Sequence, residues 1–266
     1  MLNRNQQQMT QGLGKVYLVG AGPGAVDLIT VRGSRLLAKA DIVFHDALVD
    51  PEMLLLCPNA IQVAVGKRCG KISTAQHLIE DQLIEAAHQY STVVRLKGGD
   101  PMMFGRADEE LMALEKHCIE VEVVPGVTAA LAAAASLKHS LTLRGVSRSV
   151  AFVTLARSQE VLDQSAPKSD HTMKVIAPHP VPNADTLVYY MGRKDSMHIA
   201  EQLLTVGRKS AVPVRIIEAI STKNERWLTL TLGEMAQGLA QPWFNGDSPA
   251  LIMIGEALRS RQESSI

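Results

Sequence analysis

The chain has 266 residues, with 27 basic and 27 acidic side chains and a hydrophobic fraction of 46%. Its length favours two domains of about 120 residues each, and its composition is that of a globular protein rather than a disordered one. The formal net charge of zero argues against nucleic acid or a membrane surface as a partner, and no segment reaches the about 20 consecutive apolar residues that a membrane span needs.

The cysteines and the N-terminal residues bear on the compartment. Cys57, Cys69 and Cys118 are scattered, without the paired spacing of a disulfide framework or a zinc site. We therefore expect a reducing, cytoplasmic environment and no bound metal. Residues 1–14 are rich in Gln and Asn and lack an apolar signal core, so we predict a disordered leader ahead of the first domain.

A glycine loop follows the first predicted strand. Val16–Val19 is a β-branched and aromatic run that leads into GAGPGA, Gly20–Ala25, and helical spacing follows. A second buried strand, Ile42–Phe44, ends close to Asp46. The GxGxxA spacing with a carboxylate at the end of the next strand is also the fingerprint of a dinucleotide-binding fold, so an NAD or FAD site is open at this point.

A second glycine loop is the most informative stretch of the chain. KGGDPMMFGR, Lys97–Arg106, lies between the apolar run Thr92–Leu96 and the helical pattern Ala107–Cys118. Adjacent glycines let the backbone approach a ligand, Asp100 supplies an acceptor, and Pro101 fixes φ where the next element begins. The loop either holds something small and polar or is an ordinary strand-to-helix turn.

The remaining elements complete the first domain. Ile61–Val65 reads as a strand before the basic loop Gly66–Lys71, and a helix then runs to about Tyr90. Val121–Val124 is a further strand, followed by PGVTAALAAAASL. Buried strands that alternate with helices predict a mostly parallel sheet in an α/β domain, for which we expect the bounds 15–136.

A second α/β domain is predicted for residues 146–258. Its expected strands and helix follow one another in the order Val150–Leu155, Leu187–Met191, Asp195–Val206 (the helix), Val214–Ala219, Leu228–Thr231 and Ala250–Ile254. Residues 157–185 carry four prolines and mixed charge, which indicate an extended loop or flap.

The motifs taken together resemble a known family. GAGPG, FHDALV, VGKR, VVRLKGGDPMMFGR, VVPGVTAAL, SLTLRGVSRSVAFVT, LVYYMG and SPALIMIGE occur in the order found in uroporphyrinogen-III C-methyltransferases, which are tetrapyrrole methylases. The resemblance covers residues 15–258. VVRLKGGDP followed by GR, and then VVPGVTAA, are specific to this family, whereas the first glycine loop is not.

The resemblance implies a fold, a reaction and partners. The fold would consist of two α/β domains with a ligand cleft between them, in a homodimer. The enzyme would use S-adenosyl-L-methionine (SAM) to methylate C2 and C7 of uroporphyrinogen III, giving precorrin-2 and S-adenosyl-L-homocysteine, for sirohaem, cobalamin or haem d1 synthesis. The alternatives are a sister precorrin or corrinoid methyltransferase, a SAM-binding paralogue with reduced activity and, more distantly, an NAD-dependent oxidoreductase.

The resemblance also implies roles for individual residues. Asp46 matches a proposed proton acceptor, and Lys67 matches a proposed proton donor. The positions that match donor contacts are Pro23, Gly98, Gly99, Asp100, Met103, Thr128, Ala129, Met191 and Ile220. Uroporphyrinogen is a polycarboxylate, and guanidinium groups bind carboxylates with two hydrogen bonds. The candidate carboxylate-binding residues are therefore Arg68, Arg106, Arg144 and Arg148.

Several positions depart from the family pattern, five of them at segments around the donor and the expected substrate. Ala25, His45, Ala47, Leu143 and Ile220 stand where the family usually has Asp, Tyr, Arg, His and Gly. At Ile220 a side chain could crowd the approach to the donor. Most of the departures fall in the segments expected to face the substrate, so donor binding follows more firmly from the sequence than the identity of the substrate.

Overall fold

The computed structural model describes residues 12–47, 49–65, 72–155, 181–246 and 248–260, with only the backbone of residues 72–75. These residues form two compact units that divide between Leu131 and Ala132. The division falls inside a helix, whereas the sequence placed the end of the first domain at the end of that helix, at Ser136. No helix in the described part of the chain is long and apolar enough to cross a membrane.

The first unit contains a five-stranded parallel sheet. Its strands are β1 (Lys15–Gly20), β2 (Ile42–Asp46), β3 (Ile61–Val65), β4 (Thr92–Lys97) and β5 (Val121–Val124). They lie in the order β3-β2-β4-β1-β5, and every neighbouring pair is parallel. The predicted α/β fold with a parallel sheet is therefore confirmed for this unit.

Helices cover both faces of this sheet. They are α1 (Val31–Leu37), α2 (Ile72–Gln89), α3 (Ala107–Lys116) and α4 (Ala129–Ser136). Leu83 of α2 and Leu114 of α3 pack with Val16, Leu18 and Val93 in one core. Leu37 of α1 belongs to a separate core with Val19, Val94 and Leu96. Because successive strand residues point to opposite faces, the two cores lie on opposite sides of the sheet.

The first unit also contains short 3₁₀ helices. One is Pro51–Leu56, and another spans Val26–Leu28. The Asp50 carboxylate accepts a hydrogen bond from the backbone N–H of Glu52, at 2.9 Å, and caps the first of these.

The second unit is built on a mixed sheet. Its strands are β6 (Val150–Thr154), β7 (Thr186–Tyr190), β8 (Pro213–Glu218), β9 (Arg226–Thr231) and β10 (Ala250–Ile254), in the order β6-β7-β10-β8-β9. The β6–β7 pair is parallel, and the other three pairs are antiparallel. All five strands were predicted, with bounds within two residues of those observed.

Two helices pack on the second sheet. α5 (Ser196–Thr205) and α6 (Leu232–Ala236) bury Ile199, Leu203 and Met235 against the strands. α6 begins with a capping box, in which the Thr231 side chain and the Glu234 carboxylate bond each other's backbone N–H groups. The unit thus has its own apolar core and its own capped helix.

Candidate active site

The carboxyl ends of the strands in the first sheet form one edge. Since all five strands are parallel, the loops that follow β2, β4, β1 and β5 lie side by side in that order. The chain leaves β1 towards β2 and leaves β4 towards β5, in opposite directions across the sheet. Ligands of open α/β sheets bind outside the carboxyl ends at such a switch point, so this edge is the place to look for a site.

Backbone hydrogen bonds join the two glycine loops at this edge. The N–H of Gly99 donates to the carbonyl of Gly22 at 2.7 Å, and the N–H of Gly22 donates to the carbonyl of Gly99 at 3.2 Å. Both glycines have positive φ, 79° for Gly22 and 69° for Gly99. The exchange requires a backbone conformation that residues with a β-carbon adopt only with strain.

A third loop, the PGV segment after β5, packs on the other two. A β-carbon at Gly20 would lie 2.6 Å from the Cα of Gly126 and 2.7 Å from the carbonyl oxygen of Gly99. A β-carbon at Gly126 would overlap the same carbonyl oxygen. The three loops therefore interlock through glycines, and side chains at Gly20 and Gly126 would force them apart.

The Asp100 carboxylate connects the second loop to the third. One of its oxygens accepts a hydrogen bond from the N–H of Gly126 at 2.9 Å, and the other accepts from the N–H of Met102 at 2.8 Å. Asp100 therefore has a definite structural task in the loop. Its expected contact with a methyl donor stays a prediction.

The other donor candidates of the first unit surround these loops. Pro23, Gly98 and Met103 are half-buried, Thr128 is buried, and Ala129 is the first residue of α4. A β-carbon at Gly99 would meet no atom within 4 Å, so the outer side of the second loop is open. This edge therefore combines a packed inner side with an open backbone surface.

Asp46 ends β2, directly beside β4, and is held by a buried arginine. The Arg95 Nη2 donates to Asp46 Oδ1 at 2.5 Å, and its Nη1 donates to the carbonyl of Leu96 at 3.3 Å. The Arg95 side chain is almost fully buried, whereas that of Asp46 is 31% exposed. The carboxylate proposed as a proton acceptor is thus fixed from the inside and accessible from the outside.

The same arginine leads into a buried charge network. Its Nε donates to Glu110 of α3 at 3.1 Å, and Lys97 Nζ donates to both Glu110 oxygens at 2.9 Å. Gln76 of α2 adds a longer contact at 3.5 Å. Burial lowers the pKa of Lys97, and the nearby positive charge of Arg95 acts in the same direction, while Glu110 opposes both.

Our sequence reasoning missed this network. Arg95 and Lys97 occupy alternate positions of β4, on the face that α2 and α3 cover, and Glu110 falls at core-facing spacing between Ala107 and Leu114. We treated β4 as an apolar run. Charged residues at core positions of both a strand and its following helix are the signal that could have revealed the pairing.

Arg106, a candidate for binding substrate carboxylates, is paired with a neighbour. Its Nε and Nη2 donate to the two oxygens of Glu109, at 2.7 and 2.5 Å. These bonds raise the pKa of Arg106 and lower the pKa of Glu109. Phe104 and Arg106 both have positive φ, 54° and 55°, and such backbone conformations cluster at functional sites.

In the second unit, two donor candidates follow the ends of two strands that run in the same direction. Met191 follows β7 and Ile220 lies two residues beyond β8, with β10 between the two strands. Met191 has a φ of 56° and is 55% exposed. Ile220 is buried, and positive φ occurs instead at its neighbours Ala219 (51°) and Ser221 (58°). The backbone of Ile220 itself therefore does not require glycine.

Two of the other arginine candidates lie ahead of β6. Arg144 and Arg148 are exposed, in a segment where Leu143 and Ser147 form an isolated bridge. The backbone N–H of Arg148 donates to the Asp185 carboxylate at 2.8 Å. This contact uses the backbone of Arg148, and its side chain stays a candidate for binding a substrate carboxylate.

Some predictions fall outside the described residues. They concern Lys67, Arg68, residues 1–11 of the expected leader, and all of the expected flap except residues 181–185. Within the described residues there is no cluster of three or more His, Cys, Asp or Glu side chains that could hold a metal ion.

Comparison with known proteins identifies the family. The model for tetrapyrrole (corrin/porphyrin) methylases matches residues 15–236, well over half of the chain. The chain belongs to the tetrapyrrole methylases. Among relatives in this family, the uroporphyrinogen-III C-methyltransferase of Pseudomonas aeruginosa is 42% identical over 246 residues, which is 92% of this chain and 95% of the relative.

Two further comparisons show how much of its length the chain shares with other proteins. It is 40% identical over 254 residues to the siroheme synthase of Stutzerimonas stutzeri, and it spans about half of that protein, 52% of its length. The uroporphyrin-III C-methyl transferase of Thermus thermophilus, solved in complex with S-adenyl homocysteine, matches with a TM-score of 0.74 and 38% identity over 92% of this chain and 94% of that one. The predicted family and fold are thereby confirmed.

Proposed function

We propose that this tetrapyrrole methylase is a SAM-dependent C-methyltransferase that converts uroporphyrinogen III to precorrin-2 by methylating C2 and C7. The observation that carries the proposal is the interlocked glycine edge beside Asp46, in a chain 42% identical to a uroporphyrinogen-III C-methyltransferase over almost the full length of both. S-adenosylhomocysteine would be the second product.

The glycine edge is our candidate for the SAM site, because its outer side is open to a ligand. The open side of Gly99 lets a ligand approach the backbone. The half-buried Gly98 and Met103 belong to the same loop, and the half-buried Pro23 follows Gly22, which is hydrogen-bonded to Gly99. We assign the donor contacts of the first unit to these residues together with Asp100, Thr128 and Ala129. In the second unit we assign them to Met191 and Ile220, which sequence resemblance supports.

Proton transfer is the chemistry that the protein itself must supply. SAM carries a methyl group activated by its sulfonium, and it leaves as the neutral thioether S-adenosylhomocysteine. Methylation leaves a positive charge on the pyrrole ring, which is relieved when the ring loses a proton. We assign the proton-acceptor role to Asp46. The support is that Arg95 holds one of its oxygens while its side chain is partly exposed to solvent. We assign the proton-donor role to Lys67.

The substrate carboxylates would be bound by arginines. Arg68, Arg106, Arg144 and Arg148 are the candidates, and Arg106 presents the most specific geometry. Its fork already binds the Glu109 carboxylate through two hydrogen bonds, which is the arrangement that a substrate carboxylate would need. A substrate carboxylate at Arg106 would compete with Glu109 for the same guanidinium.

Calorimetry and turnover test the proposal. We expect the protein to bind SAM and S-adenosylhomocysteine but not NAD, and to add two methyl groups to enzymatically generated uroporphyrinogen III, observed by mass and absorbance. Binding of NAD without SAM would establish the oxidoreductase alternative instead. An enzyme of demonstrated activity is assayed in parallel with the same substrate.

The departures from the family pattern bear on which tetrapyrrole is the substrate. Ala25, His45, Ala47, Leu143 and Ile220 alter segments around the donor and the expected substrate. If SAM binds but uroporphyrinogen III gains no methyl group, a precorrin or corrinoid substrate is tested next. A protein that methylates none of these substrates would be a SAM-binding paralogue.

We also propose a homodimer in the cytoplasm. The support is the resemblance to dimeric family members and the cysteine usage discussed above. Light scattering coupled to size-exclusion chromatography should give twice the chain mass of 28.8 kDa. A mass of 28.8 kDa across micromolar concentrations would contradict the dimer.

A further inference from the structure

Glu110 places a carboxylate inside an apolar stripe. It lies on α3 three residues after Ala107 and four before Leu114, and all three residues are buried. Glu110 is fully buried, with no exposed surface. An apolar side chain would suit this position for packing alone, because a buried charge is costly unless it is paired.

The pairing of Glu110 is complete and comes from two strand residues and one helix residue. Lys97 bonds both carboxylate oxygens, while Arg95 and Gln76 approach Oε1. Lys97 neutralises Glu110, so the positive charge of Arg95 remains available to a second carboxylate. That second carboxylate is Asp46.

Arg95 connects the buried Glu110 to Asp46 at the edge of the sheet. Its guanidinium is planar, and Glu110 and the Leu96 carbonyl fix it from two directions. The third acceptor, Asp46 Oδ1, is therefore held at a fixed place. Oδ2 of Asp46 accepts no hydrogen bond from the residues that the structure describes. The chain of contacts thus begins in the core and ends on a carboxylate that is partly exposed.

We propose that Glu110 is a positioning residue, which acts through Arg95 to hold Asp46 in the orientation that accepts the substrate proton. This inference rests on the proposed function. Stability alone does not explain the network, since a buried ion pair replaced by apolar residues of similar volume often leaves a protein as stable as before. Without Glu110, the Arg95 and Lys97 charges would repel each other, and Arg95 would shift relative to Asp46.

Glu110→Gln is the first test, because it keeps the size of the side chain and removes its charge. We expect kcat to fall about 10- to 100-fold, as for a misplaced catalytic group. We expect the Kd for S-adenosylhomocysteine to stay within about threefold of wild type, since the donor loops are held by their own backbone bonds. Leu114→Val, on the same stripe of α3, is the matched control and should leave kcat unchanged.

A double-mutant cycle separates positioning from a structural role. Asp46→Asn should itself lower kcat, and Glu110→Gln in that background should cost less than about threefold more, because nothing remains to be positioned. If Glu110→Gln lowers kcat equally in both backgrounds, or if Asp46→Asn retains full turnover, the inference is wrong.

Two further experiments apply if Glu110→Gln does not fold or if the wild-type protein shows no turnover. If Glu110→Gln does not fold, Lys97→Met with Glu110→Met removes both charges and should fold while losing turnover similarly. If the wild-type protein methylates no tetrapyrrole, the proposed function fails, and a crystal structure of Glu110→Gln still decides the geometry. An Arg95–Asp46 bond unchanged in that crystal structure would overturn the inference.

Discussion

The two units organise the carboxyl ends of their strands in different ways. In the first unit, the edge is made by backbone atoms of three interlocked glycine loops, with buried charges beneath it. In the second unit, the corresponding edge carries side chains on residues of positive φ, among them the exposed Met191. The first sheet is entirely parallel, whereas the second is mixed.

This difference separates two ways of building a ligand-binding edge. A glycine-built edge lets the backbone approach a cofactor-like ligand closely, and it tolerates little change. An edge of exposed side chains can vary, at the cost of local backbone strain. We therefore expect substitutions at the glycine edge of the first unit to lower both stability and donor binding, whereas a substitution at the edge of the second can lower donor binding without destabilising the fold.

Gly126→Ala should have the largest effect. Its β-carbon would overlap the Gly99 carbonyl, so we expect the free energy of unfolding to fall by about 3 kcal/mol or more and S-adenosylhomocysteine binding to be lost. Chemical denaturation and calorimetry provide the measurements. Gly246→Ala is the control, because a β-carbon there meets nothing within 4 Å. Normal donor binding by Gly126→Ala would contradict the interlocked arrangement.

Asp100→Ala should have an intermediate effect. The Gly126 N–H loses its acceptor, so we expect about 1–3 kcal/mol of destabilisation and, by loosening of the loop, a donor Kd raised about 10-fold. Asp41→Ala is the matched control, since Asp41 also accepts from a backbone N–H, that of Thr92 at 2.8 Å, at the opposite edge of the sheet. A donor Kd raised equally in both variants would show that the effect is not specific to the glycine edge.

Met191→Gly should separate binding from stability. Glycine adopts positive φ without strain, so we expect the free energy of unfolding to rise by up to about 1 kcal/mol while donor affinity falls. Cys118→Gly relieves a similar φ, 55°, just beyond the end of α3, and it should raise stability without changing donor affinity. Unchanged donor binding by Met191→Gly would remove Met191 from the site.

Asp185→Asn should have the smallest effect, and it depends on pH. The backbone N–H of Arg148 is the main cause of the lowered pKa of Asp185, with further bonds from Ser149. A lowered pKa stabilises the fold above the ordinary value of 3.8, and this stabilisation is lost as the pH falls through the folded-state pKa. The Tm of wild type should therefore exceed that of the variant near neutrality, and the two should converge in acid.

Thermal unfolding followed by circular dichroism over a pH series measures this difference. Ser149→Ala removes one of the donors to Asp185 and should show a smaller difference of the same sign. A Tm difference that persists unchanged in acid would exclude the carboxylate as its source.

Much of the fold followed from local sequence patterns. The strand runs, the glycine loops and Asp46 at the end of β2 were all placed from periodicity and turn residues, which act over a few neighbouring positions. The 3₁₀ character of Pro51–Leu56 and the antiparallel pairs of the second sheet were not predicted. Both depend on packing with distant elements rather than on local preference.

The sequence by itself determined which loops carry glycine and where a carboxylate ends a strand, because these features depend on residue type and spacing. Only the tertiary structure brought Asp46, Gln76, Arg95, Lys97 and Glu110 into one network. Residues in contact are separated by up to 49 positions along the chain. The charges of Arg95, Lys97 and Glu110 are compatible with the core only because their partners are there. That mutual dependence cannot be read from any one segment of the chain.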